Sequence, residues 1–382
     1  MEMTWSEVCA RRLARHGLTE PVPLGRLAEQ VGAMCGAHAQ VMSAAELSIG
    51  LRVAGLTRDG VRDALWTERT LVKTYGPRGT VHLLPATDLP IWAGALAATP
   101  STSARFPDGV RLSDEQTDEV VAAIGAALAD AELTVDQLTE AIVDRTGTWA
   151  GDLVMPAFQG LWPRWRQAVA TAAHRGALCF GPQRGRNTTY TSPQRWLPGF
   201  EPAGRQTALA EVVHRYLYAY GPATPQQFAQ WLAVPKPWAA ALFAELADGL
   251  EQVTVDGTPA WVVAGDTTLS TEPPSGLRLL PYFDAYTVGC HPREKVFPGK
   301  AAERALDGGQ AGTKATLLID GVVAGIWHLR RAGRRLAITV EPFGQLSPRQ
   351  LRELDDEVAR IGAIGQGTAE LTLDTVTVGG HA

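Results

Sequence analysis

Apolar residues recur along most of the chain at the three- and four-residue spacing of amphipathic helices, and short alternating segments separate the helical stretches. The clearest example starts at residue 115. Its predicted helices are 115–129, 133–147 and 158–176, and its predicted two-stranded ribbon is 177–192. Thr134 is a suitable N-cap for the second helix, and Gly176 a suitable end for the third. The pattern predicts three helices followed by a β-ribbon.

The same order of elements occurs twice more. Residues 206–264 contain three helical stretches and then LEQVTVDGTPAWVV, a hairpin predicted to turn at Asp256-Gly257. Residues 5–85 form a longer copy that ends in the ribbon LVKTYGPRGTVHLLP. Three helices followed by a ribbon is the order of a winged helix-turn-helix, so we predict three such modules in tandem.

The pattern changes after residue 270, where strands dominate. GIWHLRRAGRRLAITV predicts a long hairpin with Ala332-Gly333 at its tip, Ser347 caps a predicted helix, and LTLDTVTV predicts a closing strand. We therefore expect an α+β chain that ends in a β-barrel-like domain. The predicted domains are 1–110, 111–200, 201–270 and 271–382.

Composition narrows the class of protein. The chain has 382 residues, of which 45% are hydrophobic and 20% charged, as in globular proteins. It contains no apolar run long enough for a membrane span and no recognisable signal peptide. Its four cysteines are scattered, which is typical of reduced thiols. We expect a cytoplasmic protein.

Charge is distributed unevenly around a net value of −5. Residues 153–200 and 321–340 contain no acidic residue but several arginines, and local fields rather than net charge govern binding to phosphate. An arginine-rich segment can also be a simple solvated face. The candidate phosphate contacts are Arg164, Arg166, Arg184 and Arg186, and the candidate groove-binding hairpin residues are Arg330, Arg331, Arg334 and Arg335.

Candidate chemistry lies in the segment CGAHAQV, residues 35–41, between two predicted helices. His38 and Gln40 stand two positions apart, so they would share a face in an extended segment but not in a helix. They could therefore converge on one point before the second helix begins. The alternative is that both side chains satisfy backbone groups at the helix start. Cys35 and His38 have ligand-like spacing, but nothing nearby completes a zinc set, so we expect no metal.

Two further segments indicate a family. RTLVKTYGPRGTVHLLPATDL resembles the Arg-Gly-Thr-x-His-Leu segment of a group of bacterial tandem winged-helix proteins, and LLPYFDAYTVGCHPRE with LIDGVVAGIWH resembles their C-terminal β-domain. The chain is therefore similar to the AlkZ-like (AlkZ/YcaQ) DNA glycosylases over nearly its whole length. The resemblance implies hydrolysis of the N-glycosidic bond of N7-alkylated purines. In branches from antibiotic producers it implies action on bulky adducts and interstrand crosslinks as self-resistance.

The resemblance also implies catalytic residues. The family signature is Gln-x-Gln or Gln-x-Asp at the place of His38-Ala39-Gln40, so Gln40 matches the second position and His38 departs from the first. A His-x-Gln pattern resembles a subset of the family associated with other DNA-alkylating natural products. Our hypothesis is that Gln40 orients water and stabilises the sugar cation, while His38 accepts a hydrogen bond or the proton.

The remaining candidate residues are predicted to shape the cleft or the core rather than to take part in catalysis. Arg78 belongs to the family segment, His82 would lie on a wing strand beside the cleft, and Asp284 would shape the cleft or pair with an arginine. Trp162, Trp165 and Trp196 could stack on bases, although tryptophans at such spacing are more often core residues.

The expected partner is double-stranded DNA carrying alkylated purines, bound by a monomer in the nucleoid without a cofactor. The main alternative is a sequence-specific winged-helix transcription regulator without catalysis, because fold does not determine function. A metal- or phosphate-loop nuclease is a second alternative, but the chain has no GxxxxGK[ST] motif. The sequence leaves open which adduct is the substrate and whether crosslinks are unhooked.

Overall fold

The computed structural model describes residues 1–100, 106–107, 109–157, 160–270 and 272–378 as a mixed α and β fold. The α-helices are α1 Trp5–Arg15, α2 Leu27–Ala33, α3 Met42–Gly50, α4 Arg58–Trp66, α5 Leu89–Ala97, α6 Asp114–Leu128, α7 Val135–Thr146, α8 Val169–His174, α9 Arg205–Tyr220, α10 Pro225–Leu232, α11 Lys236–Glu245, α12 Ala285–Gly289, α13 Arg293–Val296, α14 Lys300–Ala305 and α15 Pro348–Ile364. The strands are β1 Glu2–Met3, β2 Ala37–His38, β3 Leu71–Tyr75, β4 Val81–Pro85, β5 Glu132–Thr134, β6 Leu153–Ala157, β7 Gly160–Pro163, β8 Cys179–Arg184, β9 Asn187–Thr191, β10 Leu250–Val255, β11 Thr258–Val263, β12 Leu277–Leu280, β13 Ala315–Ile319, β14 Val322–Ala332, β15 Arg335–Pro342 and β16 Thr368–Leu373.

The chain divides into two compact units. The first unit combines Met1–Asp63 with Val213–Ala382, and the second is Ala64–Val212. The first unit is therefore built from both ends of the chain. The four sequence-predicted domains remain a prediction about how the chain is organised into modules.

In the first unit, side-chain caps fix where several helices begin. The side chains of Thr4, Thr224 and Ser347 each accept a hydrogen bond from the amide three residues on, and a side-chain oxygen of that third residue accepts one from the amide of the cap residue. The predicted cap at Ser347 is confirmed. The hairpin of β10 and β11 turns at Asp256 and Gly257, with φ of 46° and 76°, as predicted. β1 adds a parallel strand to β10.

A curled sheet forms the C-terminal part of the first unit. Its strand order is β12-β13-β14-β15-β16, antiparallel except for the parallel pairing of β15 with β16 that α15 connects. In the described residues the sheet is open, so it is half of a barrel rather than a closed one. The predicted hairpin of β14 and β15 is confirmed and turns at Gly333. The closing strand begins at Thr368 rather than at Leu371.

The second unit starts with the ribbon of β3 and β4, which pair antiparallel as predicted. The predicted helices near 115–129 and 133–147 are α6 and α7, and Thr134 caps α7. β8 and β9 form the predicted ribbon, and β5 pairs with β9. The buried side chains that join these elements include Ile124, Leu138, Ile142, Trp165 and Tyr190.

The predicted helix 158–176 is wrong over its first half. Gly160–Pro163 is strand β7, which pairs with β6, and residues 164–168 form a 3-10 helix before α8 begins at Val169. Gly160 has a φ of 103°, and Pro163 has no amide N–H to donate within a helix, so a continuous helix cannot run through residues 160–163. Phe158 and Gln159 lie outside the described residues.

Candidate active site

A helix end determines the conformation of the His38 segment. After α2 the chain turns through Cys35 and Gly36, with φ of 60° and 92°, and the Gly36 amide donates to the Val31 carbonyl at 2.9 Å. Ala37 and His38 are then extended as β2, and α3 begins only at Met42. The segment is therefore extended at His38 and bent at Gln40, and it belongs to neither helix.

His38 and Gln40 differ sharply in exposure. The His38 side chain is buried at 8% exposure, whereas Gln40 is exposed in the bend before α3. The His38 ring stacks on the Phe283 ring, with 4.6 Å between centroids and 29° between planes. The buried His38 ring is held in one orientation by its stacking partner. The exposed Gln40 amide, two residues further along the chain, is accessible to a ligand.

Phe283 is held in an unusual backbone conformation. Its φ is 54°, a region that bulky side chains rarely adopt, and its amide donates to the Gly312 carbonyl at 2.9 Å. Such a conformation costs on the order of 1–3 kcal/mol and persists only where neighbouring contacts impose it. At Phe283 these contacts are the hydrogen bond to Gly312 and the ion pair of the next residue, Asp284.

Asp284 is the centre of a buried ion pair. Its carboxylate accepts hydrogen bonds from Arg52 at 2.8 and 2.9 Å and from the Ser48 hydroxyl at 2.7 Å. The Asp284 and Arg52 side chains are both 0% exposed. Asp284 also caps α12 by accepting from the Tyr286 amide at 3.0 Å. Of the two structural roles predicted for Asp284, pairing with an arginine is therefore the one observed.

Two opposing effects determine the protonation of Asp284. Burial raises the pKa of this carboxyl, but the Arg52 charge and the hydrogen bonds from Ser48 and the Tyr286 amide lower it more, so the net pKa is below the usual value. Asp284 is therefore a carboxylate. It links α3, which directly follows Gln40, to the loop that carries Phe283.

Sequence reasoning missed Ser48, Arg52 and Phe283. Ser48 lies in the last turn of α3 and Arg52 two residues beyond its end, in the strongly apolar segment SIGLRVAGL, where a lone arginine must be paired if it is buried. That lone arginine was an available signal. Nothing in the sequence indicated the partner, because Asp284 is more than 200 residues away.

His82 and Arg78 lie in the second unit. His82 is 3% exposed on β4, with Nδ1 3.0 Å from the Thr80 carbonyl oxygen, which agrees with its predicted structural role. A Cβ at Gly76 would lie 2.9 Å from the His82 ring, so glycine is required there. Arg78 is half-buried in the turn between β3 and β4, with a φ of 64°.

The arginines of 153–200 have different surroundings. Arg164 is tied to the protein, because its guanidinium donates to the carbonyls of Gly109 and Val110 and pairs with Asp152 at 3.4 Å. Arg184 donates to the Glu132 carbonyl at 2.7 Å but stays about half exposed. The remaining two candidates are Arg166, whose guanidinium lies over a Trp162 ring, and Arg186, which is exposed in the turn after β8.

The arginines of the long hairpin do not share one face. Arg330 and Arg331 are neighbours in β14, so their side chains leave the sheet in opposite directions. Arg331 donates to the Gly365 carbonyl at 2.8 Å, on the α15 side. Arg335 pairs with Glu370 at 2.7 Å, and Arg334 is exposed in the turn. His328, on the Arg330 face, lies 3.0 Å from the Tyr282 hydroxyl.

In the described part of the chain, no group of three or more His, Cys, Asp or Glu side chains could hold a metal ion. None of the helices described is both long and apolar enough to cross a membrane.

Comparison with known proteins gives one consistent result. The sequence profile of the family described as DNA glycosylase AlkZ-like matches residues 31–364. The chain is 30% identical over 387 residues to an interstrand DNA cross-link repair glycosylase of Streptomyces sahachiroi, covering 98% of this chain and 100% of that protein. The solved structure of the Streptomyces sahachiroi DNA glycosylase AlkZ superimposes with a TM-score of 0.81 at 26% identity, covering 98% of this chain and 100% of that one.

These matches define an enzyme that hydrolyses N-glycosyl bonds of DNA. The chain belongs to the AlkZ-like DNA glycosylase family. The family resemblance expected from the RGTVHL and PYFDAY segments is thereby confirmed. The alternative of a transcription regulator without catalysis is not favoured.

Proposed function

We propose that this glycosylase removes N7-alkylated guanine, including bulky adducts and interstrand crosslinks, from double-stranded DNA. The name of the Streptomyces sahachiroi relative, an interstrand DNA cross-link repair glycosylase, supports the crosslink as a substrate class. The observation that carries the proposal is the geometry of the His38 segment: a buried imidazole oriented by Phe283 and, two residues further along the chain, an exposed carboxamide shortly before α3.

The chemistry of the substrate explains why these two groups suffice. An N7-alkylguanine is a cation and leaves as a neutral base, so protonation of the leaving group is not required. The step that remains is the addition of water to C1′ through an oxocarbenium-like transition state. Gln40 positions this water through its amide oxygen, and neutral His38 accepts the water proton as the C1′–O bond forms.

Binding to DNA is assigned to the basic segments. We propose that the helix and ribbon groups are winged-helix modules and that Arg166, Arg184 and Arg186 contact phosphates beside the second module. Arg330, Arg334 and Arg335 would lie along a groove at the end of the long hairpin. The enzyme would act as a monomer on chromosomal DNA in the nucleoid.

The test is an excision assay on a duplex with a single N7-alkylguanine, followed by alkaline cleavage of abasic sites. His38→Ala and Gln40→Ala should each lower the single-turnover rate by roughly 10²-fold or more, with DNA affinity nearly unchanged. His214→Ala and Gln226→Ala, which change the same residue types elsewhere in the first unit, serve as matched controls. Wild-type rates in both active-site variants would refute the assignment.

A simple 7-methylguanine duplex, a bulky-adduct duplex and a crosslinked duplex should be compared in the same assay. Faster release of the bulky or crosslinked base supports the self-resistance role. Release of 7-methylguanine alone restricts the enzyme to ordinary base-excision repair.

A further inference from the structure

The three tryptophans of the basic segment have different environments. Trp165 is 0% exposed in the core of the second unit, and Trp196 is 9% exposed and donates from Nε1 to the Leu65 carbonyl. Trp162, on β7, is 41% exposed. Burial therefore excludes the first two as base-stacking residues and leaves Trp162 available.

Trp162 lies on a β-hairpin that has apolar groups exposed on both faces. In the pairing of β6 with β7, Trp162 is opposite Met155 on one face, and Leu161 is opposite Pro156 on the other. Met155 is buried, so the Trp162 face packs partly against the protein, whereas Leu161 is 51% exposed and Pro156 is also exposed. Two large apolar side chains exposed next to each other on one short strand are expected to contact a partner.

The charges around the hairpin indicate what that partner is. The Arg166 guanidinium lies 4.1 Å from the centroid of the Trp162 ring, which orients the indole and places a cation beside it. Residues 153–200 contain no acidic side chain, and Asp152, at the base of the hairpin, is paired with Arg164. Two exposed apolar side chains with an arginine beside them are complementary to the bases and phosphates of DNA.

We propose that Leu161 and Trp162 of β7 form an apolar wedge that enters a base step of duplex DNA. In this arrangement Trp162 and Leu161 contact the unstacked bases, and Arg166 lies beside the adjoining phosphate. Unstacking costs a few kcal/mol per step, and stacking on an aromatic side chain offsets it by a similar amount. The wedge gives access to a base that is too bulky or too constrained to be rotated into a pocket.

This proposal rests on the proposed action on duplex DNA, but not on the catalytic roles of His38 and Gln40. Its test therefore uses the full-length chain carrying His38→Ala and a duplex without an adduct. Failure of the excision assay and failure of the wedge can then be told apart, because the wedge is measured by binding and by base unstacking alone.

The first measurement is the fluorescence anisotropy of a labelled duplex. Trp162→Ala should weaken binding about tenfold, the scale of one lost base stack, whereas Trp162→Phe should stay close to the parent. Leu351→Ala removes an exposed apolar side chain from α15 and should have no effect. Thermal melting checks that each variant is folded.

The second measurement uses a duplex with 2-aminopurine, whose fluorescence rises when the base is unstacked. The parent should raise the fluorescence, and the double variant Leu161→Ser, Trp162→Ala should not. An unchanged affinity for Trp162→Ala, or no fluorescence rise with the parent, would overturn the proposal. So would a dimer in sedimentation velocity that Trp162→Ala converts to a monomer, because the hairpin would then be a self-association surface.

Discussion

The ring of Phe283 lies 4.6 Å from the ring of His38 and nearly parallel to it, although 245 residues separate the two in sequence. Phe283 holds a positive φ, and its neighbour Asp284 is fixed by Arg52 and Ser48. The orientation of the proposed catalytic imidazole therefore depends on the buried ion pair of Asp284 with Arg52, which acts through Phe283.

Removing the stacking partner of His38 should reduce catalysis more than binding. We expect Phe283→Leu to lower the single-turnover excision rate about 10- to 100-fold, because a misplacement of about 1 Å costs on this scale, while Phe283→Tyr stays near the wild type. Excision kinetics and duplex affinity are measured on the same samples. Equal activity of the Leu and Tyr variants would show that the stack is not needed.

Breaking the buried ion pair should destabilise the first unit. Asp284→Ala leaves the Arg52 charge buried without its carboxylate, so we expect a loss of about 3–5 kcal/mol in the free energy of unfolding. The double variant Arg52→Met, Asp284→Leu should recover much of that loss, since a well-packed apolar pair is often as stable as a buried ion pair. Urea denaturation of Asp284→Ala, of the single variants Arg52→Met and Asp284→Leu, and of the double variant measures the loss and the coupling.

Stability should fall between pH 7 and pH 5 because of a buried histidine. Burial, helped by the Arg52 charge, lowers the pKa of His16 to about 3 in the folded state, so His16 stays neutral there while the unfolded chain takes up a proton near pH 6.5. The contribution of neutral His16 to the free energy of unfolding is complete above the pKa of the unfolded chain. It is lost as the pH falls, by about 1–2 kcal/mol between pH 7 and pH 5.

The His16 prediction is checked by urea denaturation of the wild type and of His16→Asn at pH 7 and pH 5. The wild type should lose more stability than the variant. Parallel losses in the two proteins would mean that His16 is not the group responsible.

Neighbouring arginines on β14 should differ in their effect on DNA binding. Arg330→Ala should lower the slope of log affinity against log salt by about 0.9, the value for one lost phosphate contact. Arg331→Ala should leave the slope unchanged, because this side chain donates to the Gly365 carbonyl on the α15 side. Anisotropy titrations at several salt concentrations compare the pair, and equal slopes for both variants would contradict the assignment to opposite faces.

Local signals in the sequence predicted much of the fold. Apolar periodicity located α6, α7 and α15, cap residues such as Thr134 and Ser347 set helix starts, and Asp256-Gly257 and Gly333 marked hairpin turns. The helix predicted at 158–176 failed because its apolar residues fit either a helix or a hairpin, and Gly160 with Pro163 decided for the hairpin.

The sequence by itself determined helix starts such as those at Thr134 and Ser347, because each cap residue lies next to the helix that it begins. It also determined the family, because the matching motifs are continuous segments. Only the tertiary structure decided that Phe283 stacks on His38, that Arg52 pairs with Asp284, and which tryptophan is exposed. Local hydrogen bonds and caps act within a few residues, whereas burial and ion pairing depend on which distant segments the fold brings together.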